Sequence, residues 1–166
     1  MMAERVLASQ MPVVSEEDPR STDAIALFDV MSAFVLETYP EDEENGILPT
    51  TTEELVRDGV LVLARVDGVA AGCGALMAHP AVDGFSVLEV KRMLVLPEFR
   101  GHGISRLVLN KLEQIAQQRQ AQKLILMCGP RQPNALRLYE SNGYVRRSAY
   151  GYNIEHPLSI FFEKTL

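Results

Sequence analysis

Residues 100–103, which read Arg-Gly-His-Gly, have the types and spacing that could do chemistry. They lie between an apolar run that ends at Leu96 and an amphipathic pattern that begins at Ile104. The first N–H groups of a helix have no main-chain acceptor, and the helix dipole favours an anion there. Glycines let the main chain approach a phosphate closely. The segment predicts a site for a pyrophosphate or a similar dianion, and the alternative is a plain strand-to-helix turn.

Other chemistries fit the sequence poorly. No G-x-x-x-x-G-K-[ST] string is present, and Arg106 stands where the dinucleotide fingerprint needs its third glycine. The two cysteines, Cys73 and Cys128, form no C-x-x-C or Cys/His cluster, so we expect no metal site. We interpret Cys128 as a core residue at the end of a buried strand.

The elements that must position the loop follow from periodicity and turn residues. Apolar spacing predicts a helix over residues 23–38, capped by Ser21 or Thr22. A capping box predicts a second helix over residues 51–58. Strands are expected at residues 60–66 and 69–77, joined by a two-residue turn at 67–68, and then at 85–96. A first strand is expected within residues 6–14, although Pro12 weakens its middle.

The C-terminal half alternates between helices and strands. A helix begins at Ile104, a buried strand spans residues 123–127, and a helix spans residues 133–141 and stops at Asn142-Gly143. The last two strands are expected at residues 144–147 and 158–163. One strand–helix–strand crossover beside hairpins implies a mixed α/β sheet.

Composition bounds the class of protein. The chain has 166 residues, of which 47% are hydrophobic and 23% charged. We therefore expect residues 1–166 to form one domain. No run of about 18 uncharged apolar residues occurs, so we expect no membrane span. The N-terminal residues lack the pattern of a signal peptide, and we expect a cytoplasmic protein.

Charge is unevenly divided along the chain. The formal net charge is −6, with 14 acidic and 3 basic residues in 1–59, against 8 acidic and 13 basic in 60–166. An acidic protein argues against a nucleic-acid partner, whereas the basic part could receive a small phosphorylated ligand. We interpret residues 41–44, Glu-Asp-Glu-Glu, as an exposed loop because Pro40 and Asn45-Gly46 flank them.

Two segments resemble a known family. Residues 93–105 read Met-Leu-Val-Leu-Pro-Glu-Phe-Arg-Gly-His-Gly-Ile-Ser. They resemble the [Q/R]-x-x-G-x-[G/A] signature of the GNAT family of N-acetyltransferases, with Ser105 where that family has Gly or Ala. Residues 133–144, Pro-Asn-Ala-Leu-Arg-Leu-Tyr-Glu-Ser-Asn-Gly-Tyr, are similar to its A-x-x-L-Y-x-x-x-G-[F/Y] block. Residues 89–93, 130–133 and 157–159 are similar to a bacterial subgroup of small acetyltransferases of unknown acceptor.

The resemblance implies a fold and a cosubstrate. The implied fold is a mixed, mostly antiparallel sheet of about 6–7 strands flanked by about 4 helices. The pantetheine arm of acetyl-CoA would pair with the main chain of Met93–Val95 as an added strand. Gln132 stands where the family has a conserved Asn. The residues implied in binding acetyl-CoA are Met93, Leu94, Val95, Arg100, Gly101, His102, Gly103, Ile104, Ser105, Arg106, Gln132 and Asn134.

The resemblance also implies catalytic groups. Tyr139 matches the family tyrosine that protonates the leaving thiolate, and its alternative role is a ring in the core. The base that some members carry on the fifth strand is Met127 here, which cannot titrate. Glu89 matches the fourth-strand carboxylate used by others, and its alternative role is a surface partner of Lys91 or Arg92. A main-chain N–H near Leu94 or Val95 is the implied oxyanion donor.

The implied function is transfer of an acetyl group from acetyl-CoA to a primary amine of a small molecule or peptide, by direct attack in a ternary complex. The alternative is a catalytically weak domain that binds acetyl-CoA as a sensor or interaction module. From the charge distribution we hypothesise that Glu37 and residues 41–44 attract a cationic amine. Family members often dimerise through the final strands, which implies that a homodimer can form here.

Overall fold

The computed structural model describes residues 11–44, 49–151 and 159–166. Within these ranges it has a seven-stranded sheet and five helices. The strands are β1 (Val13–Glu17), β2 (Gly59–Val66), β3 (Val69–Ala78), β4 (Val87–Val95), β5 (Lys123–Cys128), β6 (Val145–Arg147) and β7 (Ile160–Thr165). The helices are α1 (Thr22–Thr38), α2 (Pro40–Glu44), α3 (Thr52–Asp58), α4 (Ile104–Gln118) and α5 (Pro133–Ser141).

The sheet is mixed and mostly antiparallel, as predicted. Its strand order is β1-β2-β3-β4-β5-β7-β6. Neighbours pair antiparallel except β4 with β5, which are parallel and connected through α4. A parallel pair needs such a crossover, so the order of elements along the chain decides where the sheet changes direction.

The two faces of the sheet carry separate cores. On one face, α4 and α5 pack on β2–β5 and β7; α4 buries Ile104, Val108, Leu109, Leu112, Ile115 and Ala116 there. On the other face, α1 and α3 cover β2 and β3, burying Ala24, Leu27, Phe28, Leu55, Leu61, Leu63, Cys73 and Ala75. None of the helices in the described ranges is long and apolar enough to cross a membrane.

Most of the predicted turns and caps are confirmed. Asp67 and Gly68 both have positive φ, at 50° and 80°, as a type I′ hairpin turn requires. Thr51 and Glu54 form the reciprocal capping box of α3, and Ser21 accepts the Ala24 N–H of α1 at 3.1 Å. Gly143 ends α5 with a φ of 86°. These features depend on one or two residues each, so local sequence is enough to predict them.

Two predicted segments differ from the structure. The first strand of the described residues, β1, begins at Val13, directly after Pro12, and runs to Glu17, so it shares only residues 13 and 14 with the expected range 6–14. Residues 6–10 lie outside the described residues. The run Ser15-Glu16-Glu17 is polar and does not resemble a strand, but β1 is an edge strand, and Glu17 forms an ion pair with Arg65 of β2 at 2.6 Å.

The acidic run after Tyr39 is helical, whereas we expected an exposed loop. Residues 40–44 form α2. Proline at the first helical position and acidic residues in the first turn both favour a helix start. The flanking Asn45-Gly46 lies outside the described residues, as does residue 158, where the last strand was expected to begin; β7 begins at Ile160.

Candidate active site

The strands β4 and β5 separate midway along their length. They pair only at Val87–Glu89 with Lys123–Ile125, although β4 continues to Val95 and β5 to Cys128. On its other side β4 stays paired with β3, for example Leu94 with Cys73. The main chain of Met93–Val95 therefore has one open edge, which can take an extended group as an added strand.

Two glycines of β3 hold β4 in this position. A Cβ on Gly72 would lie 2.5 Å from the Leu94 carbonyl oxygen, and one on Gly74 would lie 2.6 Å from Val108 Cγ1 of α4. Glycine inside a strand often marks a bulge or a close approach of other atoms, and both are present here. Opposite Gly74, β4 bulges at Arg92, which has a φ of 58°.

The Arg92 guanidinium holds the bulge against the α1 face. It stacks on the ring of Phe28, 4.6 Å from its centroid, and donates to the Thr50 carbonyl oxygen. Burial lowers the pKa of Arg92 from its usual value. Cys73 Sγ donates to the Arg92 carbonyl oxygen at 3.2 Å, and burial raises the pKa of Cys73 to about 12.

The glycine loop follows the carboxyl end of β4. Gly101 and Gly103 have φ values of 80° and 74°, and no heavy atom would lie within 4 Å of a Cβ at either position. These glycines are therefore required by backbone conformation and not by crowding, and the space above them is open. Arg100 Nε donates to the Val95 carbonyl oxygen at 3.1 Å, which ties the loop to the end of the strand.

The start of α4 presents its N–H groups to this open space. Gly103 is the N-cap residue and provides no side-chain cap. The first hydrogen bond across this end runs from Leu107 N–H to the Gly103 carbonyl oxygen, at 3.2 Å. Residues 104–106 therefore have N–H groups that can bind an anion. Ile104 is buried in the core, so only its main chain is available.

The side chain of His102 is held against the loop. Its Nδ1 lies 2.9 Å from the Arg100 carbonyl oxygen and 3.2 Å from that of Phe99. The ring folds back onto the loop, so the main chain of His102 is the part that faces the open space.

Tyr139 lies where the carboxyl end of β5 meets α5. Its ring is buried against Tyr144 and Phe162, with centroid distances of 5.8 and 5.9 Å. Burial and then the nearby Cys128 raise the pKa of Tyr139 above its usual value. Burial raises the pKa of the Cys128 thiol to about 11. Because β4 and β5 are parallel, this group and the glycine loop lie at the same edge of the sheet.

The two residues expected near the start of α5 are placed differently. Gln132 is half-buried, and its Oε1 lies 3.8 Å from Cys128 Sγ, close to the Tyr139 group. Asn134 is exposed, and its Oδ1 accepts a hydrogen bond from Arg137 on the next turn. The structure therefore brings Gln132 towards the strand opening and leaves Asn134 at the surface of the helix.

A pocket of about 630 Å³ opens on the other face of the sheet, beside α3. Glu89 of β4 lines it and is only 8% exposed. Its Oε1 lies 2.9 Å from the Lys91 ammonium. The sequence left open a catalytic base or a surface partner of Lys91 or Arg92; Glu89 does pair with Lys91, but the pair lies in the pocket and not on the open surface. Met127 of β5 also lines it.

Tyr150 and Arg147 in this pocket were not singled out from the sequence. Tyr150 is 6% exposed, and its ring packs edge-on against His79 and Phe161. Arg147 pairs with Asp83 at 3.1 Å and with Glu163 at 2.8 Å. These residues lie on β6 and just beyond it, and no local motif marks them. The alternation of side chains along β4 places Glu89 and Lys91 on one face of the sheet, and this was the available sequence signal for the pocket.

A contact between distant segments links the two sides of the site. Tyr39, at the end of α1, accepts the Arg131 N–H through its hydroxyl at 2.9 Å. A Cβ on Gly129 would lie 2.0 Å from that hydroxyl oxygen, so only glycine fits. Arg131 also forms an ion pair with Glu41 at 2.6 Å. The corner between α1 and α2 is thereby fixed on the loop that leads into α5.

Of the acidic residues expected to attract a cationic amine, Glu37, Glu41 and Asp42 are absent from the lining of this pocket, whereas Glu54 of α3 is part of it. Its lining comes from residues 50, 54, 77–83, 89, 91, 127, 147, 149–151 and 161. Glu37 is exposed on α1, and Glu41 is engaged by Arg131. Within the described residues, the charged side chains around the pocket are instead of both signs.

The parallel strands β4 and β5 of this mixed sheet separate beside a glycine loop. A tyrosine lies on one side of the opening and a carboxylate pocket on the other. This combination defines a class of acyl-transfer proteins. Comparison with known proteins agrees. Residues 26–144 match the family described as "Acetyltransferase (GNAT) family". The chain belongs to this family and is an acyltransferase.

Individual relatives extend the match over nearly the whole chain. An IAA acetyltransferase of Azospirillum brasilense is 32% identical over 154 residues, covering 92% of this chain and 97% of that protein. A Klebsiella pneumoniae structure assigned as an acyl-CoA N-acyltransferase is 30% identical, covers 94% of this chain and 98% of its own, and superposes with a TM-score of 0.74. The PaiA N-acetyltransferase of Thermoplasma acidophilum, solved with coenzyme A, shares the fold at 17% identity, with 95% and 100% coverage and a TM-score of 0.69.

Proposed function

We propose that this protein transfers the acetyl group of acetyl-CoA to a primary amine of a small molecule or peptide, by direct attack in a ternary complex. The observation that carries the proposal is the opening between β4 and β5, with a glycine loop at its edge. Tyr139 belongs to the core on the α4 face, whereas Glu89 faces the pocket on the α1 face. An acid and a base can therefore approach the opening from opposite sides.

The residues of this chain fit acetyl-CoA as cosubstrate. The open edge of Met93–Val95 can pair with an extended amide-containing arm. The main chain of residues 101–106 can hold a pyrophosphate, since both glycines have positive φ and face open space. We also assign contacts with acetyl-CoA to Arg100, His102 and Ser105 of the loop, and to Gln132 and Asn134 at the start of α5. Three proteins of this fold were solved with coenzyme A or acetyl-CoA, which supports the assignment.

The reaction forms an N–C bond between amine and acetyl carbon and breaks the C–S bond of the thioester. Glu89 takes the proton that the amine loses, directly or through water. A main-chain N–H near Leu94 or Val95 donates to the carbonyl oxygen as negative charge develops on it. Tyr139 donates its phenolic proton to the departing thiolate. Each proton thus has a donor and an acceptor within this chain or its substrates.

The environment of Tyr139 suits this role. A free tyrosine and a free thiol have pKa values of about 10 and 8.5, so proton transfer between them is uphill by about 2 kcal/mol. Burial raises the pKa of Tyr139, which keeps the phenol protonated. Burial also raises the pKa of a thiol in this region, because that of the neighbouring Cys128 is raised to about 11. Desolvation of the leaving thiolate therefore offsets the raised pKa of the tyrosine.

The first experiment is thermal unfolding with acetyl-CoA, with ATP as the control nucleotide. A ligand at a hundred times its Kd adds about 2.7 kcal/mol to the free energy of unfolding. For a chain of this length that is a rise in Tm of roughly 5–10 °C. A rise with acetyl-CoA and none with ATP supports the cosubstrate; equal responses, or none, contradict it.

Release of coenzyme A thiol in the presence of a broad panel of amines then tests turnover. Acetyl-amine product at rates above the amine-free background supports the enzyme. A clear rise in Tm without turnover of any amine would favour a domain that senses acetyl-CoA or acts as an interaction module.

A further inference from the structure

Three polar groups converge in the pocket around Glu89: its carboxylate, the Lys91 ammonium and the Tyr150 hydroxyl. We propose that they recognise a zwitterionic acceptor, an α-amino acid whose amine meets Glu89 and whose carboxylate meets Lys91 and Tyr150. This inference rests on the proposed acetyl transfer and names the acceptor class for the same site.

Tyr150 is the strongest indication that this pocket recognises a polar group. Its hydroxyl is buried close to the Glu89 carboxylate, and no acceptor among the described residues meets it in good hydrogen-bond geometry. A buried polar group without a partner destabilises a fold, so such groups are uncommon and call for an explanation. Burial and then Glu89 raise the pKa of Tyr150, so the phenol remains a hydrogen-bond donor. The Tyr150 hydroxyl is therefore placed to donate to a carboxylate oxygen of the same ligand whose amine meets Glu89.

The Glu89–Lys91 pair can exchange its partners. The two charges are 2.9 Å apart, with side-chain exposures of 11% and 29%. A zwitterion brings one ammonium and one carboxylate, so it can replace this single ion pair with two. Both Glu89 and Lys91 then keep a partner of opposite charge. A simple amine would pair with Glu89 but leave the Lys91 ammonium without a carboxylate, because it carries none.

Several other polar groups of the pocket already have partners. Arg147 is held by Asp83 and Glu163. Glu54 accepts the Thr51 N–H of its capping box at 2.7 Å. His79 Nδ1 lies 2.8 Å from the Pro80 carbonyl oxygen. Glu89, Lys91 and Tyr150 are the pocket groups whose charges and donors match an amino acid head group.

The rest of the lining indicates the side chain of the acceptor. Apolar surface comes from Met77, Val82, Met127 and Phe161. The volume of about 630 Å³ is typical of a small-ligand site. An amino acid with an apolar side chain of medium size fits this combination.

The test compares amino acids with the amines that lack only the carboxylate. L-leucine is paired with isoamylamine, L-phenylalanine with phenethylamine, and L-lysine with cadaverine, at fixed acetyl-CoA. We expect kcat/KM to be at least about 100-fold higher for an apolar amino acid than for its amine, since two charge-assisted contacts are lost. Equal values, or a preference for the amines, would overturn the inference while leaving acetyl transfer intact. Absence of turnover with every amine would count against the proposed function itself.

Variants separate recognition from folding. Lys91→Met should reduce the amino acid to amine ratio of kcat/KM by about tenfold or more, whatever it does to the absolute rates. Arg119→Gln removes a positive charge at the exposed end of α4 and should leave the ratio unchanged. An unchanged ratio in Lys91→Met would show that Lys91 does not meet a carboxylate.

Tyr150→Phe has a matched control in Tyr144→Phe. The Tyr144 hydroxyl donates to Glu113 at 3.1 Å, so its loss should lower Tm. Loss of the unpartnered Tyr150 hydroxyl should leave Tm unchanged or raise it, yet raise KM for the amino acid about tenfold. If Tyr150→Phe lowers Tm as Tyr144→Phe does and leaves KM unchanged, its hydroxyl is a structural group and the inference fails.

Discussion

Residues 93–106 form one continuous stretch that offers main-chain groups at the open edge of β4 and at the start of α4, whereas the pocket around Glu89 takes side chains from several separate segments. The loop needs glycines for backbone conformation and leaves most side chains free to vary. The pocket depends on individual side chains such as Lys91 and Tyr150. In the proposed function this difference separates two tasks: the backbone of the loop holds the cosubstrate, and side chains of the pocket select the acceptor.

The largest expected effect comes from the acid. Tyr139→Phe should lower kcat about 100-fold or more, because the leaving thiolate loses its proton donor. The Tm rise with acetyl-CoA should persist, since the hydroxyl is not needed to hold the cosubstrate. Steady-state kinetics at saturating acetyl-CoA measures this. A kcat within threefold of the wild type would remove Tyr139 from the chemistry and leave it as a core ring.

Glu89→Gln tests whether the pocket carboxylate acts as the base. It should lower kcat/KM for the amine about 10- to 100-fold at pH 7, with the acetyl-CoA response of Tm unchanged. The deficit should shrink as pH rises towards the pKa of the free amine, because the neutral amine then needs no base. A deficit that is constant between pH 7 and 10 would mean that Glu89 only positions Lys91 or the acceptor.

Gly101→Ala tests the loop. Positive φ costs a non-glycine residue about 1–2 kcal/mol, and the same strain applies to Gly68→Ala. Both glycines have a φ of 80° and open space around a Cβ. Both variants should therefore lose similar Tm, but only Gly101→Ala should weaken acetyl-CoA binding, by about tenfold in Kd. Equal Kd values in the two variants would show that the loop is only a turn.

The smallest effect concerns the two cysteines, one on each side of the sheet. Their pKa values are raised by burial to about 12 for Cys73 and about 11 for Cys128. At pH 8 both are thiols, so the native protein should react slowly with an aromatic disulfide reagent, faster as pH rises. Cys128, at the strand opening, should react before Cys73. Rapid reaction of Cys73 in the native state would contradict the packing under α1.

Much of the glycine loop and of the elements around it could be predicted from the sequence. The run of residues 100–103, the start of α4 and the block around Tyr139 each depend on backbone conformation or helical periodicity over a few residues. The turn at Asp67-Gly68 and the capping box at Thr51 are local in the same way. The helix α2 was missed although Pro40 followed by four acidic residues is a typical helix start, because the acidic run was interpreted only as solvated charge.

The sequence by itself determined the conformations that one or a few neighbouring residues dictate: positive-φ glycines, capped helix starts, and apolar faces of helices. Only the tertiary structure decided that β4 and β5 separate after Glu89 and Ile125, that Tyr39 packs on Gly129, and that Tyr150 lies unpartnered beside Glu89. Each of these joins residues far apart in the chain. Their contacts depend on strand order and register, which no local pattern encodes, because the free energy that selects them comes from packing the whole sheet against its helices.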